Sequence, residues 1–290
     1  MNSILSEKQI FEIGNDAKKR RREFDLGMGP LGDNIFKLIR ELGIHLIFLP
    51  VKTEGNDEHP FSALFVAFEE KSFFIGLNTE DYLDKQIFAL AHELDHYFDP
   101  TDIHVCRISD DPNSPRELKA NRFAAEFLLP TDQLVLEIKN VNQGNLDLHR
   151  WKHTALLRLI ARLHCEYKLP YKAIVRRFEE VGSINNDQYE LLLQEGVRDR
   201  DSLYYSIGLS MDQTVFEMLN TQTKKQGIEG DDFSSIIGNY EEGLISLSEL
   251  MEDLALFNKR VEEFGICNEI DDENIEELNE FLLGHKDNEK

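Results

Sequence analysis

The spacing of apolar positions changes along this chain, and each change predicts an element. Residues 4–26 carry helical spacing and end at the breaker Gly27-Met28-Gly29-Pro30. A second helix follows, with Ile35, Leu38, Ile39 and Leu42 on one face, and Gly43 closes it. The period then shortens. Ile44–Leu49 reads as a strand that stops at Pro50, and Thr53–Pro60 as a polar loop. Phe61–Phe68 and Ser72–Asn78 flank Glu69-Glu70-Lys71, which predicts a hairpin. The strand at Phe73–Leu77, just before the next helix, fits two readings that the sequence does not separate: a cleft-lining strand that holds an extended peptide by its backbone, or an ordinary core strand. Helical spacing returns through Phe88–Phe98, with Asp84 as the expected N-cap and Pro100 as the terminator. After the loop Asp110-Asp111-Pro112-Asn113, Ser114-Pro115-Arg116-Glu117 starts a helix with proline in its first turn. That helix runs through Leu118–Leu129 to Pro130, and Ala120, Ala124 and Ala125 let a neighbour approach closely.

Beyond Asn140 the pattern is helical throughout. Trp151–Tyr167 and Tyr171–Val181 are joined at Leu169-Pro170, and Gly182 closes the second. Their spacing is that of a helix-turn-helix, and eight basic residues face three acidic ones between His149 and Glu180. As packing against an enzyme domain also explains such a pair, it is read as a helical subdomain. Residues from 201 onward are acidic and helical, including Leu244–Val261 and Glu273–Leu283, with Lys286–Lys290 as a frayed tail. Three regions are therefore expected: 1–140 with mixed strands and helices, 141–200, and 201–290.

Charge narrows the functions open to such a chain. The net charge is −23 over 290 residues, and from Asp201 onward 22 acidic residues face six basic ones, a net −16. General nucleic-acid binding is disfavoured by that balance. The run Lys18-Lys19-Arg20-Arg21-Arg22 reads as a solvated helix face. Cys106, Cys165 and Cys267 are odd in number and widely spaced, which argues against a disulfide framework. With no apolar run of membrane-span length and no signal-peptide pattern at Met1–Lys8, the expected location is the cytoplasm.

The chemistry concentrates in Phe88-Ala89-Leu90-Ala91-His92-Glu93-Leu94-Asp95-His96-Tyr97-Phe98. His92 and His96 stand one helical turn apart and can bind one Zn²⁺, which leaves Glu93 beside the metal as a general base. Catalytic zinc takes three protein ligands, and local pattern leaves the third open. Asp102 follows His96 at the metzincin spacing, but Asp99 stands where that pattern wants glycine. Asp99 shares the histidine face and suits a supporting role better. Glu117 is the third contender, although Ser114-x-x-Glu117 also matches a capping box that would occupy its carboxylate.

Glu117-Leu118-Lys119-Ala120-Asn121-Arg122-Phe123-Ala124-Ala125-Glu126-Phe127-Leu128-Leu129-Pro130 resembles the E-x-x-A-N-x-F-A-A-x-L-L-x-P signature of the ImmA/IrrE family of zinc metallopeptidases. The histidine segment and Glu41-Leu42-Gly43-Ile44 fit the same family, and the likeness covers residues 15–140. The resemblance implies an α+β zincin-like fold, a small sheet framed by helices, with one zinc held by His92, His96 and Glu117. It implies Glu93 as the base and Asn121 as support one turn beyond Glu117. Two departures stand out. Asp95 replaces a common glycine and adds charge that could strengthen metal binding or orient a histidine N–H, and Asp99-Pro100 stands where a further histidine often follows. Tyr97 and His104 are the candidates for stabilising an oxyanion. The implied activity is narrow-specificity cleavage of a protein partner, a helix-turn-helix repressor encoded nearby, in stress or mobile-element regulation. The rival reading is a non-cleaving protein that holds a repressor or DNA on the same scaffold. An intact Glu93 favours cleavage, because a binder has no need of a base.

Overall fold

The computed structural model describes residues 5–52, 61–67, 72–99, 114–228 and 230–266. Two compact units divide it, residues 1–229 and 230–290. The first unit contains α1 (Glu7–Glu23), α2 (Asn34–Glu41), β1 (Ile44–Leu49), β2 (Ala63–Ala67), β3 (Phe73–Asn78), α3 (Leu83–Phe98), α4 (Pro115–Leu128) and α5 (Thr131–Val141). It continues with α6 (His153–Tyr167), α7 (Tyr171–Glu180), α8 (Asn186–Leu193), α9 (Leu203–Met211), α10 (Gln213–Leu219) and β4 (Gly227–Ile228). The second unit, within its described residues, holds α11 (Gly230–Glu241), α12 (Leu247–Ala255) and a 3-10 turn at Val261–Phe264.

The class is α+β: a mixed four-stranded sheet, in the order β2-β3-β1-β4, lies among helices. β1 and β3 pair in parallel, while β2 and β4 lie antiparallel at the edges. Of the two readings of Phe73–Leu77, the ordinary core strand is the one this pairing supports. β3 is hydrogen-bonded on both sides, so its backbone has nothing left for a peptide; among the described residues β2 is the edge strand on that side. Leu46, Phe48, Ile75 and Leu77 alternate inward with Ile87, Leu90 and Leu94 of α3 to form the core beneath the sheet.

Most helix starts follow local chemistry. Ser6 and Gln9 make a capping box at α1, and Ser114 caps α4 with Pro115 in the first turn. α3 departs from expectation. Its N-cap is Tyr82, and Asp84 lies fully buried at the second helical position. There Asp84 accepts from His164 Nε2 at 3.1 Å and from Arg198 at 2.6 and 2.7 Å. The basic run of α1 is a solvated face at Lys19 and Arg22 but not at Arg21. Arg21 is buried and donates to the carbonyls of Gly27, Gly29 and Phe127, tying α1 to α4. Burial lowers its pKa to about 10.

The first unit extends to Glu229, whereas the sequence reading draws a boundary after Arg200. Tyr204, Phe216 and Leu219 from the intervening helices are fully buried in the same core, and β4 pairs with β1. Gly208 permits this packing, because a Cβ there would sit 2.1 Å from the Phe216 ring. In the helix pair α6–α7, Arg177 is likewise internal, bonded to Glu126 Oε2 at 2.8 Å and to Thr131. Part of the basic count between His149 and Glu180 is therefore structural. The Glu69–Lys71 turn, the loops Thr53–Pro60 and Asp110–Asn113, Pro100, Cys106, Cys267, the helix expected at Glu273–Leu283 and the tail Lys286–Lys290 lie outside the described residues. No described helix is long and apolar enough to cross a membrane.

Candidate metal centre

α3 and α4 pack face to face, and each contributes residues one turn apart: His92 and His96 from one, Glu117 and Asn121 from the other. The three expected ligands converge. His92 Nε2 lies 3.0 Å from Glu117 Oε2, His96 Nε2 lies 3.6 Å from Glu117 Oε1, and the two histidine Nε2 atoms are 3.3 Å apart. Donors bound at about 2.0–2.1 Å to a tetrahedral ion lie about 3.3 Å from one another, so the spacing fits zinc. The chemistry fits too: two imidazole nitrogens and one carboxylate are a zinc donor set, and three lone pairs this close repel unless a cation lies between them.

The electrostatics agree with that reading. Burial opposes a charge on His92, but the hydrogen bond to Glu117 and the Glu93 and Glu117 carboxylates outweigh it and raise its pKa. Glu117 moves the other way, lowered mainly by its hydrogen bond to His92. Burial, and then the neighbouring His92, push His96 down to about 4, which keeps the imidazole neutral. Without a cation, the cluster holds one proton between His92 and Glu117. His92 Nδ1 is 3.1 Å from Asn121 Oδ1, and a proton donated there frees Nε2 to act as a ligand.

The competition over Glu117 is resolved by geometry. Ser114 Oγ accepts the Glu117 backbone N–H at 3.3 Å, so half of the capping box forms. The carboxylate turns away from the cap and points at the histidines.

Glu93 projects toward β2. It is 4% exposed, faces the Phe65 backbone N–H, and leaves Oε2 with no partner among the described residues. Burial raises its pKa to about 7, the range suited to a base at neutral pH. The strand register explains the contact. Asn78 N donates to Ser62 O, so alternation along β2 turns the backbone groups of Ala63, Phe65 and Ala67 outward. Among the described residues, the outer edge of the sheet thus runs beside Glu93.

Other expected site residues are placed elsewhere. Asp95 does not orient a histidine; it faces Lys119 Nζ at 3.4 Å, which also bonds Asp99 at 3.0 Å. Burial lifts Asp95 to about 6 against the pull of Lys119. Tyr97 packs on Phe65 and Phe73, and its hydroxyl donates to Leu42 O at 3.5 Å, so it is not brought to the cluster. His104 and Asp102 lie outside the described residues. Lys119 and the Phe65 N–H were not anticipated. The first had a signal only in its place between Glu117 and Asn121, and the second is a backbone group with none.

Compared with known families, residues 39–179 match Peptidase_M78, described as the IrrE N-terminal-like domain. No curated protein and no solved structure matches the chain.

Proposed function

Starting from residues 39–179 as an IrrE-like peptidase domain with a metallopeptidase triad, we propose a zinc-dependent endopeptidase that cleaves one protein partner. The partner class that the family resemblance supplies is a helix-turn-helix transcriptional repressor, whose cleavage relieves repression. What carries the reading is the convergence of His92, His96 and Glu117 beside a buried carboxylate with an unpartnered oxygen.

His92, His96 and Glu117 would hold zinc, which would supply Lewis-acid polarisation of the scissile carbonyl and of the attacking water. The protein does the rest. Asn121 fixes the His92 ring and its tautomer. The Phe65 N–H faces one Glu93 oxygen, and the other takes a proton from the attacking water and passes it to the leaving nitrogen. The outward edge of β2 offers an extended peptide backbone partners next to that carboxylate.

The test is incubation of the purified protein with the helix-turn-helix regulator encoded beside it, with and without a chelator. Cleavage should require metal, and Glu93→Gln should slow it by about 10²–10⁴-fold while still binding the regulator. If Glu93→Gln relieves repression in cells as well as the wild type does, cleavage is not the mechanism.

A further inference from the structure

A second cleft, of about 310 Å³, opens at the N-terminal end of α3. Tyr82 caps that helix and His92 lies ten residues on, about 15 Å along the axis, so this cleft is separate from the metal cluster. Arg198, Arg200 and Lys224 line it, and none of its eight lining residues is acidic. In a chain with 55 acidic and 32 basic residues out of 290, eight positions would on average hold one or two carboxylates and about one cation. The inversion is local and marked.

The three cations are not equivalent. Arg198 is committed beneath the cleft: both oxygens of buried Asp84 accept from it, Asn220 accepts a further bond, and its guanidinium stacks 4.2 Å over the Tyr82 ring. Arg200 and Lys224 are exposed and make no ion pair among the described residues. Asp199 and Asp201 flank Arg200 in sequence but do not line the cleft, and the Asp199 carboxylate is taken by the Asp201 N–H at 3.0 Å. Two uncompensated cations facing one cavity repel each other unless an anion joins them.

The wall carrying Lys224 is held in place. Lys224 itself adopts a left-handed backbone, φ 49°, which a lysine rarely takes. Its N–H donates to Thr79 O at 2.9 Å, Thr79 Oγ1 donates to Lys225 O at 2.6 Å, and Leu83 N donates to Thr221 O at 3.1 Å. The backbone at Lys224 is thus pinned from both sides, which fixes the point from which its side chain reaches over the cleft.

We propose that this cleft binds a phosphorylated small molecule the size of a mononucleotide, with its phosphate between Arg200 and Lys224. Guanidinium and ammonium groups together suit phosphate oxygens. The volume exceeds what phosphate alone needs and stands at the low end for small-molecule sites. Tyr205 and the Arg198–Tyr82 stack provide flat surfaces for a planar ring. This inference does not depend on the peptidase reading.

Calorimetric titration of the full chain with the four nucleoside monophosphates, inorganic phosphate and adenosine tests it. At least one nucleotide should bind saturably with Kd below about 1 mM, and phosphate should compete. Adenosine should bind at least about tenfold more weakly than AMP, one lost charge-assisted contact. The double variant Arg200→Ala, Lys224→Ala should weaken nucleotide binding at least about tenfold with its unliganded unfolding midpoint unchanged, because both side chains are exposed. Absence of saturable nucleotide binding, undiminished binding by the double variant, or adenosine binding as tightly as AMP would overturn the proposal. Phosphate binding as tightly as every nucleotide would overturn the mononucleotide assignment.

Discussion

Glu117 and Asn121 stand one turn apart on α4 and act on the same ring from opposite sides. Glu117 meets His92 at Nε2, where a metal would sit, and Asn121 meets it at Nδ1. Removing each should therefore have a different consequence. Glu117→Ala deletes a ligand and should abolish stoichiometric zinc, whereas Asn121→Ala leaves three ligands and should weaken zinc by about 10–100-fold. Zinc per chain and competition against a chromophoric chelator would read the two; equal retention by both variants would remove Glu117 from the site. His92, Glu93 and His96 were legible because their spacing is the chemistry itself. Glu117 was not legible from pattern alone, since a serine three residues earlier made a cap equally reasonable and only the family resemblance decided it. Lys119 and the Phe65 N–H come to the site through tertiary packing, which no local spacing records.

The sheet and helices show how far local pattern reaches. β1 runs over Ile44–Leu49 as its apolar run suggests, and α4 begins at its proline. Which strand lies at the edge depends on pairing order, which puts β3 inside the sheet and, among the described residues, β2 at its edge. Asp84 was misplaced for a related reason. An aspartate near a helix start reads as a cap unless one knows that His164 and Arg198, 80 and 114 residues away, enclose it. That enclosure makes a prediction at the level of the helix. Burial alone would raise the Asp84 pKa, but hydrogen bonding to His164 and the Arg198 charge outweigh it and lower it. A depressed carboxylate stabilises the fold above its ordinary pKa of about 3.9, and that contribution fades as pH falls through its folded value. Asp84→Asn should therefore cost about 2–3 kcal/mol at neutral pH. This is below the about 3–5 kcal/mol of a wholly buried pair, because the Arg198 side chain keeps 25% exposure. Urea unfolding of wild type and variant should show the gap narrowing below about pH 4. A gap that widened there would mean the carboxylate is not charged in the fold.

At the scale of the whole chain, charge and packing divide the molecule differently. Acidity rises from Asp201, but the core of the first unit continues to Glu229. Residues 230–290 carry 18 acidic and four basic side chains, a net −14, so residues 1–229 retain only −9 of the total −23. Composition therefore marks a boundary about thirty residues before the packing does. The reason is that α9, α10 and β4 sit in mixed sequence whose few apolar residues are fully used. Tyr204, Phe216 and Leu219 are each 0% exposed. At about 1.5–3 kcal/mol for each such side chain, their loss would remove roughly 5–9 kcal/mol, comparable with the entire stability of an ordinary domain. It would also strip β4 from β1 and the Arg198–Asp84 pair's support at Asn220 from the head of the metal-bearing helix. A chain ending at Glu229 should keep cooperative urea unfolding and the full zinc content, while one ending at Arg200 should lose both. Circular dichroism during urea titration, with metal analysis of the same samples, would decide between the two cuts. Equal stability of the two truncations would show that α9, α10 and β4 decorate the core instead of completing it; failure of the longer one to fold would show that the acidic unit is needed to hold the metal-bearing helices together.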